Sequence, residues 1–228
     1  MKVLSIDTAT SRGSVSLLEG SELVAELRLQ SPETHSARLL RSIEFLLANA
    51  GWELAALELV AAGIGPGSFT GIRIGVATGL GLAQALSLPF AGISCMDALA
   101  RRSGLPEGRL GIVRDAQRAQ VYYAEYTRRY PYVRREVKPF LCHPGAWREQ
   151  TPLRGLHLVG DGVARYRKEL GVSRTGWPRH IETDLFLSGD IGRLAHLRKR
   201  FWLRGDSLQA EPLYIRPPDA MRGRRLRR

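Results

Sequence analysis

Three strand-like runs stand at the start of the chain with almost nothing between them. Residues 3–7 are compact and apolar, 14–18 alternate polar and apolar side chains, and 22–30 follow directly on the turn sequence Glu19-Gly20-Ser21. Parallel neighbours need a crossover of about a dozen residues, so connections this short impose an antiparallel meander. The chain therefore opens as a sheet. After it the period changes: Leu39, Leu40, Ile43, Leu46, Leu47 and Ala50 recur at helical spacing over 36–50, and Gly51 supplies a stop.

From there strand and helix alternate. A short apolar run at 59–64 leads through a glycine-rich turn into a second helix over 69–86. A strand at 90–93 follows, and Ser94 is placed to cap a third helix that ends near Gly104. This order predicts an α/β chain with a mixed sheet flanked by helices, a layout that resembles one lobe of the two-lobed actin-like (ASKHA, ribonuclease-H-type) fold. Beyond Arg109 the runs 110–115, 120–126 and 156–159 read as strands of a second, smaller lobe, with helices over 163–170 and 191–201 expected to cover it. Gly104, Pro106 and Gly108 punctuate the boundary, which gives a first lobe over 1–105 and a second over 106–221. The arginines crowded into 222–228 repel one another and predict a disordered tail.

At 228 residues and 44% hydrophobic composition the chain can bury a real core, and its formal charge of +12 draws phosphates, acidic proteins or nucleic acid. The sequence enters its first strand without a basic and apolar leader, and Cys95 and Cys142 are its only cysteines. Both features point to the cytoplasm. The nearly uncharged stretch 74–93 is broken by Gln84, Pro89 and glycines, and reads as a buried helix and strand rather than a membrane span.

The block Gly63-Ile64-Gly65-Pro66-Gly67-Ser68-Phe69-Thr70-Gly71-Ile72-Arg73-Ile74-Gly75 stands where a strand meets a helix N-terminus. Gly67, Ser68 and Thr70 either hold an anion on the free amides of the first helical turn or simply make the turn and its cap. No lysine follows, so the block is no Walker A loop. Gly71, Gly75 and Gly79 line one face of that helix. Each costs about 1 kcal/mol relative to alanine, and close approach of another element, within the lobe or across a subunit interface, must offset it. Asp7 and Thr8, in Asp7-Thr8-Ala9-Thr10-Ser11, stand where actin-like ATPases hold phosphate and metal, although the glycine usual in that turn is missing. Asp161-Gly162 resembles the second phosphate turn.

Catalytic groups are scarce. None of the five histidines pairs at the spacing of a helical metal site, and Cys95 has no base near it in sequence. Tyr122, Tyr123 and Tyr126 beside Arg118, Arg128 and Arg129 fit either RNA stacking or simple strand alternation.

Taken together, Ile6-Asp7-Thr8-Ala9-Thr10, Thr34-His35-Ser36 and the glycine block resemble the TsaB family, and Asp115, Val121-Tyr122-Tyr123-Ala124, Gly160-Asp161-Gly162 and Pro212-Leu213-Tyr214-Ile215-Arg216 extend the resemblance over most of the chain. Gln117 departs from it, standing where the family usually has arginine. The resemblance implies a non-catalytic paralogue of TsaD that pairs with TsaD as a heterodimer. TsaE docks on the pair, and threonylcarbamoyl passes to the adenosine beside the anticodon of ANN-decoding tRNAs. It implies partner contacts at Leu39, Ile43, Gly71, Ile72, Gly75 and Gly79, ATP or ADP at TsaD and TsaE rather than tightly bound here, tRNA met through the complex, and a homodimer when TsaD is absent. Two other readings stand beside it. One is an active actin-like ATPase or sugar kinase, from the turns at Asp7 and Asp161. The other is a free-standing basic RNA-binding protein, from the net charge.

Overall fold

The computed structural model describes residues 1–30, 35–129, 132–173, 175–203, 211–213 and 215. Thr34, the side chains of His35 and Ser36, Tyr214, Arg216 and the arginine-rich run 222–228 lie outside the described residues. Strands β1 (Lys2–Asp7), β2 (Arg12–Glu19) and β3 (Glu22–Gln30) form the expected antiparallel meander, with a register shift at Leu17/Leu18. Helix α1 (His35–Ala50), a single 3-10 turn (Leu54–Ala56), β4 (Leu59–Gly63), α2 (Phe69–Ala85), β5 (Phe90–Ile93) and α3 (Cys95–Ala100) follow. Strand β4 pairs in parallel with both β1 and β5, so the first sheet runs β3-β2-β1-β4-β5.

The second sheet repeats this plan. Strands β6 (Gly108–Asp115), β7 (Val121–Arg129) and β8 (Tyr132–Cys142) form another antiparallel meander. After α4 (Pro144–Gln150), β9 (Leu156–Val159) pairs in parallel with β6. Helix α5 (Asp161–Arg165) and the two-residue β10 (Arg179–His180) complete the order β10-β9-β6-β7-β8. Two mixed sheets flanked by helices make this the actin-like fold. One apolar core joins them, from Leu4, Ile6 and Phe90 to Leu110, Ile112 and Tyr126. A smaller cluster of Val113, Tyr123, Trp147, Leu158 and Leu170 fills the outer side of the second sheet.

Strand alternation sorts the helices of the first sheet. Ile6 and Thr8 face α2, where a Cβ on Gly75 would stand 3.5 Å from the Ile6 methyl. Ser5 faces the other way, to helix α6 (Ser188–Leu197), and donates to the Ser188 carbonyl at 2.6 Å. The sequence pattern assigns this last long helix to the second sheet, but it packs against β1, β2, β4 and β5. The serines of β1 and β2 are the reason. Ser14 Oγ accepts the Ser188 N–H at 3.1 Å and Ser16 Oγ lies 2.5 Å from Ser188 Oγ, so this polar row receives the start of α6. Gly192 lies so close to the sheet that a Cβ there would fall 2.3 Å from Leu18. A short helix, α7 (Lys199–Trp202), continues from α6. The stretch 74–93 divides between α2 and β5, and no helix among the described residues is long and apolar enough to cross a membrane.

Candidate functional site

The carboxyl ends of the parallel strands β1, β4, β6 and β9 point to the junction of the two sheets, where ligands of open α/β sheets gather. A cleft of about 520 Å³ opens there, lined by Arg12 from the first sheet and by Gly160, Asp161, Arg165, His180 and Glu182 from the second. The actin-like fold implies a metal–nucleotide at this place, so the two expected phosphate turns decide whether these residues fit one.

The first turn is closed. Asp7 and Ala9 are fully buried, and the Ala9 N–H is spent on Asp7 Oδ1 at 3.0 Å. The Ser68 N–H, at the start of α2, donates to the Ala9 carbonyl at 2.7 Å, Ser68 Oγ caps the Gly71 N–H at 3.2 Å, and the Thr8 hydroxyl donates to the Gly71 carbonyl at 2.7 Å. A Cβ on Gly67 would sit 2.2 Å from the Ala9 oxygen. Gly67 and Ser68 are thus pressed against the turn at Asp7 and Thr8, while Thr70 points outward in the first turn of α2. The capping reading of Ser68 is the one the geometry bears out.

A guanidinium occupies the second turn. Arg114, near the end of β6 and 1% exposed, donates from Nε to Asp161 Oδ1 at 3.0 Å. The Asp115 N–H donates to the same oxygen at 3.2 Å. Gly160 holds φ +124°, and a Cβ there would strike the Val113 carbonyl at 2.1 Å, so the turn lies flat on β6. Burial pulls the Arg114 guanidinium down, but Asp161, with Cys95 and Asp7 behind it, outweighs this and holds it above the ordinary arginine value. Across the junction the Cys95 thiol, 3.9 Å from Asp7 Oδ1, is pushed up to about 12 by burial and by that carboxylate. A charged arginine stands where a cation would sit between the acidic groups, and in the first turn the Ala9 amide and the Ser68 amide above it are already taken. The residues do not fit a bound metal–nucleotide. Among the described residues no group of three or more His, Cys, Asp or Glu side chains is placed to hold a metal.

Arg114 and Cys95 escape sequence reasoning because their partners lie far away along the chain. The neighbouring turn is also strained. Gln117, Arg118 and Ala119 hold φ of 60°, 55° and 56°, and Asp115 Oδ1 fastens them by accepting the Gln117 N–H at 2.9 Å.

The residues expected at a partner surface lie elsewhere than expected. Leu39 and Ile43 are buried on the inner face of α1, and Gly71, Ile72, Gly75 and Gly79 on the inner face of α2. Cβ atoms on Gly71, Gly75 and Gly79 would fall 2.1 Å from the Thr8 carbonyl, 2.3 Å from Thr8 Oγ1 and 2.7 Å from the Phe90 ring. The close approach that offsets these glycines is to the chain's own sheet. The outward faces of the same two helices carry Leu40, 53% exposed, and Phe45, 56% exposed, with Arg41 and Glu44 on α1, and Thr70, Arg73, Ala77, Gly81 and Gln84 on α2. Exposed apolar side chains beside a flat strip of small residues suit a helix-on-helix contact.

The tyrosines are not exposed for stacking on RNA. Tyr122, Tyr123 and Tyr126 are buried, with the Tyr123 and Tyr126 hydroxyls donating to Glu125 and Asp97, each at 2.8 Å. Strand alternation explains them.

Residues 30–152 match the family model described as "TsaD: tRNA N6-adenosine threonylcarbamoyltransferase". The tRNA threonylcarbamoyladenosine biosynthesis protein TsaB of Escherichia coli is 37% identical over 130 residues, 56% of this chain and about half the length (56%) of that relative. The protein of the same description from Haemophilus influenzae is 29% identical over 228 residues, covering 95% of this chain and 94% of its own. Among solved structures, YeaZ from Pseudomonas aeruginosa superposes with a TM-score of 0.75 at 27% identity, over 93% of this chain and 99% of that one.

Proposed function

On the premise that this chain belongs to the TsaB family, within the wider group that the TsaD model describes, we propose that it serves tRNA threonylcarbamoyladenosine biosynthesis as a non-catalytic subunit that binds and activates TsaD. The observation that carries this reading is Arg114. A buried guanidinium paired to Asp161 occupies the junction where an actin-like enzyme would place its cation, and the turn at Asp7 is closed beneath α2. The same observation weighs against an active ATPase or sugar kinase, which needs both elements open.

The partner surface on this reading is the outward face of α1 and α2. Leu40 and Phe45 supply apolar anchors, and Ala77 and Gly81 let a facing helix come close. TsaE then docks on the pair, nucleotide is handled by TsaD and TsaE, and tRNA is met in the complex. The same exposed face makes a homodimer the state of the chain alone, because a self-complementary apolar patch is buried by its twin when the partner is missing. The compartment on this reading is the cytoplasm.

The test is reconstituted transfer. TsaD from the same organism, supplied with threonylcarbamoyl-adenylate and tRNA, is expected to modify tRNA only when this chain is added, and the chain alone to modify none. Transfer by the chain alone would overturn the non-catalytic reading, and transfer by TsaD that ignores the chain would overturn the activating one.

A further inference from the structure

Outside the cleft, charge converges on the opposite side of the first sheet. Asp97 of α3 is buried and accepts the Tyr126 hydroxyl at 2.8 Å. Two guanidinia reach toward it from separate elements, Arg135 of β8 at 3.7 Å and Arg198 at the end of α6 at 3.8 Å. A third, Arg101 at the C-cap of α3, donates to the Val133 carbonyl at 3.0 Å. Burial, and then repulsion from Arg198, hold its pKa below the ordinary arginine value. Three positive groups against one carboxylate leave a positive excess in a small area. Lys199 and Arg200 continue the charge on the exposed side of α7, and no acidic residue falls between Arg193 and Leu203. Phe201, 68% exposed, stands beside them with its ring edge-on to Trp202 at 4.8 Å between centroids.

A basic residue at the end of α6 is favoured by the helix dipole, which accounts for Arg198 alone. It does not account for the convergence of Arg101 and Arg135 from two other elements, nor for a large aromatic ring left in water next to them. A polyanion with separable flat bases satisfies both, since its phosphates neutralise the excess charge and an exposed ring stacks on an unpaired base. The chain's net charge of +12 acts in the same direction at longer range.

We propose that the junction of α3, β8, α6 and α7 is a docking surface for the phosphate backbone of a structured RNA, with Arg101, Arg135, Arg198, Lys199 and Arg200 as phosphate contacts and Phe201 as a stacking platform. The proposal rests on the tRNA-modification reading and deepens it, because it gives this subunit its own hold on the tRNA. The surface lies across the first sheet from the outward face of α1 and α2, so a protein partner seated there leaves it open.

The probe is an unmodified tRNA transcript carrying a fluorophore, titrated with the full chain and followed by anisotropy over a series of salt concentrations. Lys199→Glu/Arg200→Glu, at two exposed side chains, is expected to weaken binding roughly ten-fold or more and to lower the slope of log affinity against log salt by about two. Arg135→Gln/Arg198→Gln is expected to act in the same direction. Phe201→Ala is expected to weaken binding without changing the slope. Arg167→Glu/Lys168→Glu, an equal charge change on the second lobe, is expected to leave both untouched. Thermal melting of each variant separates lost binding from lost fold. Unchanged affinity and slope in folded Lys199→Glu/Arg200→Glu would overturn the surface. Polyglutamate that binds as tightly as tRNA, with Phe201→Ala silent, would overturn RNA as its occupant in favour of an acidic protein. Mixing each variant with TsaD in parallel separates the two claims: a chain that pairs with TsaD but shows no charge-dependent tRNA binding loses this surface alone, whereas a chain that fails to pair loses the subunit reading.

Discussion

At the scale of single residues, Arg114 carries most of the meaning. Its side chain is buried and its Nε–Asp161 contact is 3.0 Å, so replacing it by Met fills the space but leaves acidic groups at the junction without their cation. Breaking a buried ion pair from one side costs about 3–5 kcal/mol. Asp161 is a third exposed and retains some solvent, so Arg114→Met is expected to lose about 3 kcal/mol in a urea unfolding series, and no loss would mean that the guanidinium is not the internal counter-ion. Nothing local in the sequence announces this. Ile112-Val113-Arg114-Asp115 reads as a strand whose polar end reaches solvent, and only the parallel pairing of β6 with β9 brings Asp161 alongside. Asp7 and Asp161, by contrast, were legible, because an acidic residue just past a strand is a local signal.

At the scale of elements, the glycines of α2 show what spacing can and cannot say. A period of four places Gly71, Gly75 and Gly79 on one face, and that much is plain in the sequence. Which body the face meets depends on how α2 lies on the sheet, and it meets β1, β4 and β5. Gly75→Ala would drive a Cβ to 2.3 Å from Thr8 Oγ1, whose hydroxyl is itself held by the Gly71 carbonyl, so it is expected to destabilise by about 1–3 kcal/mol. Gly81→Ala meets nothing within 4 Å and is expected to gain about 0.5–1 kcal/mol from helix propensity alone. Thermal melting of the pair checks both, and an equal response would contradict the packing. The first sheet was readable for the same local reasons, from short hairpins, strand alternation and caps at Ser68 and Ser94. The seat of α6 was not, because Ser5, Ser14 and Ser16 carry the same alternation whether they face water or a helix.

At the scale of the whole molecule, pH acts on three histidines at once. Burial lowers His157, His180 and His196 below 6.5, assisted by Arg179 at His157 and by Lys199 at His196. Below that value the unfolded chain binds more protons than the folded one, so folding weakens as pH falls through this window and is fully restored above it. Denaturant midpoints are expected to drop from pH 8 to pH 5, and His180→Gln is expected to shrink the drop. A midpoint that rises on acidification would contradict the direction of these shifts.

The molecule as a whole is two sheets joined by one core, with a cleft at their junction whose cation place Arg114 fills, and with an exposed helical face on which the partner reading rests. The most direct measurement is the mass, by light scattering after gel filtration, of this chain mixed with TsaD from the same organism. It is to be compared with Ala77→Arg, which alters only the outward side of α2. A one-to-one complex for the native chain, lost in an Ala77→Arg protein that melts as the native one does, is the predicted result. A complex that survives Ala77→Arg would contradict the assignment of the surface, and no complex with the native chain would contradict the partner-subunit reading itself.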